Sequence, residues 1–414
     1  MPDEILDAHS SDPAAMGWMQ GFPPPDAKRL AWKRADHMRF PTHRFAFSHM
    51  REFLPTVRVS RGYGAVWNLP VALRDDLDAV RFRALDDDRE LSWEAALAVN
   101  FTDAVLVLHK GTIVYERYLG VTRRDTPHIA FSVTKSFVGT IAEMLVAEGR
   151  LDPAAPMADL IPELARSGFA DATLRQVMDM TTALDFSEEY TDPNSGIGAM
   201  SNALGLTPRA PGYAGPDDVY AYLPTIGKAG EHGQRFTYRT CNTEVLGWLV
   251  ARTEGKRLDR VLAERIWAPL GMEQDADFLI DSSGMPFAGG GLNPVLLDMA
   301  RFGEAMRCDG QGNGGQAIAS AAVARIKHGG SKEAFAPAGY QWIPGGSYAS
   351  QWWSMGGNHG AFSARGIHGQ AIWIDPVAEV VIARFGSHPV AANSAIDPAS
   401  LPAYRAIADH LMRG

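Results

Sequence analysis

The sequence predicts an α+β protein in which a sheet drawn from both ends of the chain is interrupted by a mostly helical segment. Three observations predict it. Residues 104–118 place β-branched and aromatic residues on both sides of Lys110-Gly111, the pattern of a β-hairpin. From Leu151 to about Gly290 the pattern becomes helical and loop-rich. The tail then returns to strands at residues 346–355, 361–365, 369–374 and 379–385, closed by a helix from about Ala399 to Met412. The chain thus divides into a lead-in over residues 1–95 that packs on the core, a sheet domain from residues 96–150 and 291–414, and a helical domain over 151–290.

Taken in order, the lead-in is extended and irregular, with prolines from Pro23 to Pro25 and a short helix near 93–99, and no chemistry is read there. A helix begins at about Ser132 and runs through the apolar stretch Ser136 to Glu148, and further helices are expected over 173–180, 217–223, 243–253 and 258–267. Consecutive side chains on a strand point to opposite faces, so one of Trp352 and Trp353 is core and the other is free to line a cleft. No internal repeat or low-complexity tract interrupts this pattern.

At 414 residues and 46% hydrophobic content the chain has ample core. Its formal charge of -9 argues against a nucleic-acid partner, because neutralising phosphates takes clustered Lys and Arg. The two cysteines, Cys241 and Cys308, are too few for a disulfide framework or a cysteine-rich zinc site, and are expected to be reduced. The polar start from Met1 to Ser10 lacks a basic and then apolar signal pattern, and no run approaches the roughly 18 apolar residues of a membrane span. The expectation is a cytoplasmic protein with no membrane partner.

Ser132-Val-Thr-Lys135 places a serine and a lysine three apart at the start of an apolar helix. Residues at that spacing share a face, with Cβ atoms about 5–6 Å apart. A serine hydroxyl is a weak nucleophile until a base takes its proton, and a lysine stripped of water can be neutral enough to do so. The short pattern also arises by chance and decides nothing alone.

About a hundred residues on, Tyr238 precedes a second apolar helix in Tyr238-Arg-Thr-Cys-Asn-Thr-Glu-Val-Leu-Gly-Trp248. Tyrosine can relay a proton where cations depress its pKa, although a half-buried structural tyrosine fits the same pattern. A third block, Phe362-Ser-Ala-Arg-Gly-Ile-His-Gly-Gln370, sets glycines in and beside strands, where a backbone or ligand approaches closely. A strand amide there, paired with the Ser132 amide, would make an oxyanion hole, and an ordinary tight hairpin is the alternative.

Together with Phe186-Ser-Glu-Glu-Tyr190 and Asp375-Pro376, these blocks resemble the serine β-lactamase and penicillin-binding-protein superfamily, in its class C and esterase branch. The resemblance is closest to the 6-aminohexanoate-dimer hydrolases and covers roughly residues 95–414. It implies a β-lactamase/transpeptidase-like fold, with a five-stranded antiparallel sheet between helices, an all-α domain beside it, and the site in the cleft. It implies Ser132 as nucleophile, Lys135 as its base, Tyr238 as the proton relay, and the amides of Ser132 and Ile367 as the oxyanion hole. Tyr190 matches a loop tyrosine that hydrogen-bonds an amide substrate, and Thr240, Trp353 and His368 fall where substrate is bound.

Two departures narrow the expectation. Where the superfamily has Lys or His, Thr or Ser, then Gly, this chain has Gly366-Ile-His-Gly369, and Thr240 stands where the tyrosine motif usually ends in Asn. Both remove groups that bind β-lactams and cell-wall peptides. The remaining expectation is a cofactor-free serine hydrolase of small esters or linear amides, with room for a homodimer. The rivals are a D-amino-acid peptidase or β-lactamase of the same superfamily, and a non-catalytic sensor on the same scaffold.

Competing motifs are weak. Gly310-Gln-Gly-Asn-Gly-Gly315 lacks a preceding strand, and there is no G-x-S-x-G elbow. His359, His368 and His388 show no acidic partner at ligand spacing, which favours structural roles over a metal.

Overall fold

The computed structural model describes residues 5–414, so the first four residues of the polar N-terminal stretch lie outside it. Seven strands form the main sheet: β1 (Thr102–His109), β2 (Thr112–Tyr118), β3 (Ser347–Ala349), β4 (Trp352–Ser354), β5 (Phe362–Gly366), β6 (Gln370–Asp375) and β7 (Val380–Gly386). Their order is β3-β4-β5-β6-β7-β1-β2, and every pairing is antiparallel. The two ends of the chain meet where β7 pairs β1, from Val380 opposite His109 to Phe385 opposite Ala104. The β1–β2 hairpin turns through Lys110 and Gly111, at φ 50° and 77°, the left-handed pair that a type I′ turn requires.

The sheet has seven strands rather than the expected five, and residues 346–355 are two strands rather than one. Ser350 and Gln351, at φ 52° and 68°, fold this segment back on itself as the β3–β4 hairpin. Neither is a glycine or asparagine, so the usual turn signal is missing.

Both faces of the sheet are covered. On one, Leu106, Leu108, Ile372, Ile374, Val381 and Ala383 join a core that includes helix α1 (Val133–Ala147), helix α2 (Thr240–Glu254) and helix α3 (Leu296–Arg307). On the other, Val105, Val107, Trp373, Val380 and Ile382 pack against Tyr404, Ile407 and Leu411 of the terminal helix α4 (Asp397–Arg413). The odd–even split between the two faces is the period-two rule of strands. Full burial of each such aliphatic side chain contributes about 1.5–3 kcal/mol. On α3, Gly303 admits the sheet closely: a Cβ there would stand 2.6 Å from Val381 Cγ1 and 2.7 Å from Ile372 Cγ2.

Helix α1 is enclosed on all sides, with every residue from Val133 to Leu145 buried, its polar members Lys135, Ser136, Thr140 and Glu143 included. The helical segment beside it includes Leu174–Met178, opened by a capping box between Thr173 and Gln176. It also holds Gly196–Leu204, which the sequence pattern does not announce. The lead-in is built into the molecule: Thr56–Val59 pairs Ala276–Leu279, and Phe47 is fully buried in the core.

Candidate active site

Ser132 sits at the foot of α1, where the first helical N–H groups have no intrahelical partner. The preceding Phe131 is held at φ 42°, a costly conformation for a bulky residue and one that clusters at functional sites. Two contacts hold it: Phe47 packs edge-on against its ring at 4.9 Å, and Ile129 N–H donates to the Phe47 carbonyl at 2.9 Å. The lead-in thus braces the turn that presents Ser132.

One helical turn on, Lys135 is fully buried, and its Nζ donates to Ser132 Oγ at 3.1 Å and to the Gly289 carbonyl at 2.6 Å. Burial pulls the Lys135 amine below the usual lysine range, while the negative charges of Glu188 and Glu244 partly restore it. Glu244, on α2, accepts from the backbone N–H of Gly289 at 2.6 Å and of Ala288 at 3.2 Å. Burial raises its carboxyl above the ordinary range.

Tyr238 lies just before α2 with the Lys135 ammonium 5.3 Å from its ring centroid, and it stacks on Trp353 at 5.5 Å and 26°. Its phenol is pushed well up by burial and then by the Glu188 charge, against the opposing pull of Ser132 and of Arg365. The expectation of a phenol depressed by cations is therefore corrected: the apolar aromatic surround outweighs the nearby positive charges. The two tryptophans divide as the strand period requires. Trp352 donates to Thr140 Oγ1 at 3.1 Å inside the core, and Trp353 lines the cavity.

A cavity of about 640 Å³ opens beside Ser132, lined also by Glu188, Tyr190, Tyr238, Tyr340, Trp353, Arg365 and Ile367. Glu188 organises one wall: it accepts from the Thr240 N–H at 2.9 Å, from the Thr240 hydroxyl, and from the Tyr190 hydroxyl at 2.8 Å. A carboxylate at the N-terminus of α2 is favoured there by the helix dipole. Ile367 follows Gly366, where an added Cβ would meet the Ala130 carbonyl at 2.7 Å and the Ser132 nitrogen at 3.1 Å. Strand β5 can therefore end directly against the Ser132 amide.

Two residues expected at the substrate lie elsewhere. Thr240 is buried behind Glu188 and spends its hydroxyl on that carboxylate. His368, at φ 60°, turns away into an aromatic nest with His43, Phe47 and Phe131, and its Nδ1 lies 2.6 Å from the His388 carbonyl. Burial pulls its pKa down to about 3. His359 does have an acidic neighbour, Asp375, at 2.7 Å, but among the described residues no cluster of three or more His, Cys, Asp or Glu could hold a metal ion.

Sequence reasoning passed over Glu188, Glu244, Arg365 and Asp397. For Glu244 a signal exists, since it is four residues after Thr240 on one helical face and directly precedes an apolar run. For Asp397, 32 residues from its partner Arg365, there is no local signal.

The fold and this constellation coincide with what the chain matches. Residues 96–400 match the Beta-lactamase family, and the chain belongs to that family, as a hydrolase of the β-lactamase and penicillin-binding-protein superfamily. It is 37% identical over 360 residues, 87% of this chain and 88% of the other, to the 6-aminohexanoate-dimer hydrolase of Paenarthrobacter ureafaciens. A solved Bacillus anthracis structure assigned as a 6-aminohexanoate-dimer hydrolase superposes with a TM-score of 0.84 at 31% identity, covering 94% of this chain and 99% of that one. A penicillin-binding-protein homologue from Caulobacter crescentus shares the fold, with a TM-score of 0.57 at 17% identity and coverage of 83% and 99%. No helix among the described residues is long and apolar enough to cross a membrane.

Proposed function

We propose that this chain cleaves linear amides of the 6-aminohexanoate-oligomer type, and simple carboxylic esters, through an acyl-enzyme on Ser132. The observation that carries this reading is the buried contact of 3.1 Å between Lys135 Nζ and Ser132 Oγ, beside the Tyr238 phenol. In its neutral form Lys135 accepts the hydroxyl proton as Ser132 attacks the carbonyl carbon. The developing oxyanion rests on the amides of Ser132 and Ile367, each such donor commonly supplying about 3–4 kcal/mol. Tyr238, its proton held firmly, donates to the departing amine or alcohol, and water then reverses the path to free the acid.

Tyr190 separates the two substrate classes. An ester leaves with little help, whereas an amide needs a well-placed acid and a group that holds its N–H or carbonyl. Tyr190 lines the cavity with its hydroxyl oriented by Glu188, which suits it to hold an amide.

The test is turnover of p-nitrophenyl butyrate and of the linear 6-aminohexanoate dimer by wild type and Ser132→Ala, with intact-mass detection of an acyl adduct. Loss of both activities in the variant, by about 10⁴-fold or more, and an adduct of acyl mass in the wild type are expected. Full activity in Ser132→Ala would sink the assignment. A permanent adduct with no turnover would favour a sensor on this scaffold.

A further inference from the structure

The cavity beside Ser132 carries charges of both signs. Glu188 and Glu189 come from the loop before the Gly196–Leu204 helix, while Arg365 comes from β5 and Arg235 from the segment leading to Tyr238. Arg365 is 93% buried by its 7% exposure, and its guanidinium lies 5.3 Å from the Trp353 ring, which in turn stacks on Tyr238. Guanidinium, indole and phenol form one layered stack that ends at the nucleophile.

A guanidinium has five N–H donors. Among the described hydrogen bonds, that of Arg365 makes one, from Nη2 to Asp397. Asp397 opens α4, so its carboxylate is held by the helix end as well as by the arginine. The remaining Arg365 donors belong to a side chain that lines the cavity, where a ligand can reach them. Arg235 is exposed at the same cavity, and its one hydrogen bond runs to the Pro337 carbonyl at 3.1 Å. Glu188 is engaged by Thr240 and Tyr190 and Glu189 by Thr191, while Asp397 offsets one of the two cations, which leaves the Arg365–Arg235 pair to take a single negative charge. The nearby walls, Phe236, Tyr340 and Trp342, suit a short methylene chain.

We propose that Arg365, assisted by Arg235 at the rim, is a carboxylate subsite. The favoured substrates are then esters and amides that carry a free carboxylate a few methylenes from the bond to be cut. This rests on the hydrolytic reading of Ser132 and adds to it which end groups the cavity reads. Planar guanidinium groups match a carboxylate with paired hydrogen bonds, which an ester cannot reproduce.

Two matched ester pairs test it. Mono-p-nitrophenyl adipate against p-nitrophenyl hexanoate places the carboxylate on the acyl side, and 4-acetoxybenzoate against its methyl ester places it on the leaving group. The wild type should prefer the carboxylate member of at least one pair by tenfold or more in kcat/KM, chiefly through KM, and added salt should erode that preference. The ratio within each pair should fall to near one in the doubly substituted Arg365→Met/Asp397→Asn protein, which leaves no lone buried charge, and part of the way in Arg235→Gln. Ratios near one for both pairs in the wild type would overturn the subsite, as would an unchanged ratio in the double variant. Because Arg235 is exposed, Arg235→Gln should fold even if the double variant does not, and an unchanged ratio there also counts against the proposal. Absence of turnover with all four esters would overturn the hydrolytic reading, and the subsite with it.

Discussion

Glu244 and Lys135 meet on a single residue: the Glu244 carboxylate accepts from the Gly289 N–H at 2.6 Å, and the Lys135 amine donates to the Gly289 carbonyl at 2.6 Å. The carboxylate therefore sets where the lysine stands without occupying it. A glycine is required at that point, since a Cβ on Gly289 would lie 2.4 Å from Thr240 Cγ2 and 2.8 Å from Glu244 Oε1.

Replacing Glu244 separates position from charge. Glu244→Ala frees the 288–289 backbone and should lower kcat by about 10²-fold, the usual cost of a displaced catalytic group. Glu244→Gln keeps an acceptor and should lose less. Because the Glu244 charge helps hold the proton on Lys135, removing it should move the acidic limb of kcat/KM to lower pH. A pH profile of the three proteins checks both parts.

The wild-type profile follows from two opposite shifts. Burial holds the Lys135 pKa below its ordinary 10.5 and the Tyr238 pKa above its ordinary 10.0. The base must be neutral and the acid protonated, so kcat/KM should rise through the lysine pKa and stay level past pH 10. A descending limb below pH 10 would contradict the assignment of Tyr238 as donor.

Tyr190→Phe should divide the substrates. Loss of the hydroxyl that Glu188 orients should lower amide turnover about tenfold or more relative to ester turnover, as measured by the ratio of dimer to p-nitrophenyl butyrate hydrolysis. Equal losses on both would remove the amide-holding role.

Gly139→Ala tests the packing under the site. In a free helix the change would stabilise by about 1 kcal/mol. Here the added Cβ would stand 2.2 Å from the Ser350 carbonyl and 2.6 Å from Gln351 Cβ. Displacing backbone from a packed core costs about 1–3 kcal/mol or more, so the urea midpoint should fall.

The legible parts of this molecule were those written in local pattern. The β1–β2 hairpin and the helix after Ser132 follow from β-branched runs and an apolar stretch, and strand alternation says that Trp352 and Trp353 part to opposite faces, without saying which faces the cleft. The β3–β4 turn was hidden because Ser350 and Gln351 adopt left-handed backbone without the residues that favour it. Thr240 and His368 were misplaced because proximity to a motif does not say which way a side chain points. His368 lies in the Ile367–Gly369 turn, where strand alternation breaks down. Arg365 and Asp397 come together only through the packing of α4 on the sheet, which no short window contains.

Gln351 gives the site a place in time. Its carbonyl accepts from Ser136 on α1 at 2.7 Å, its Oε1 accepts from Thr243 on α2 at 2.7 Å, and its Nε2 donates to the Met178 carbonyl at 3.0 Å. The serine and tyrosine helices are thus pinned by a residue synthesised more than a hundred positions after both. Contacts so distant in sequence form slowly. A nascent chain displaying Ser132, Lys135 and Tyr238 still lacks the joint that fixes their spacing. Hydrolytic activity would then appear only as the last strands dock, and its onset would report the completion of folding.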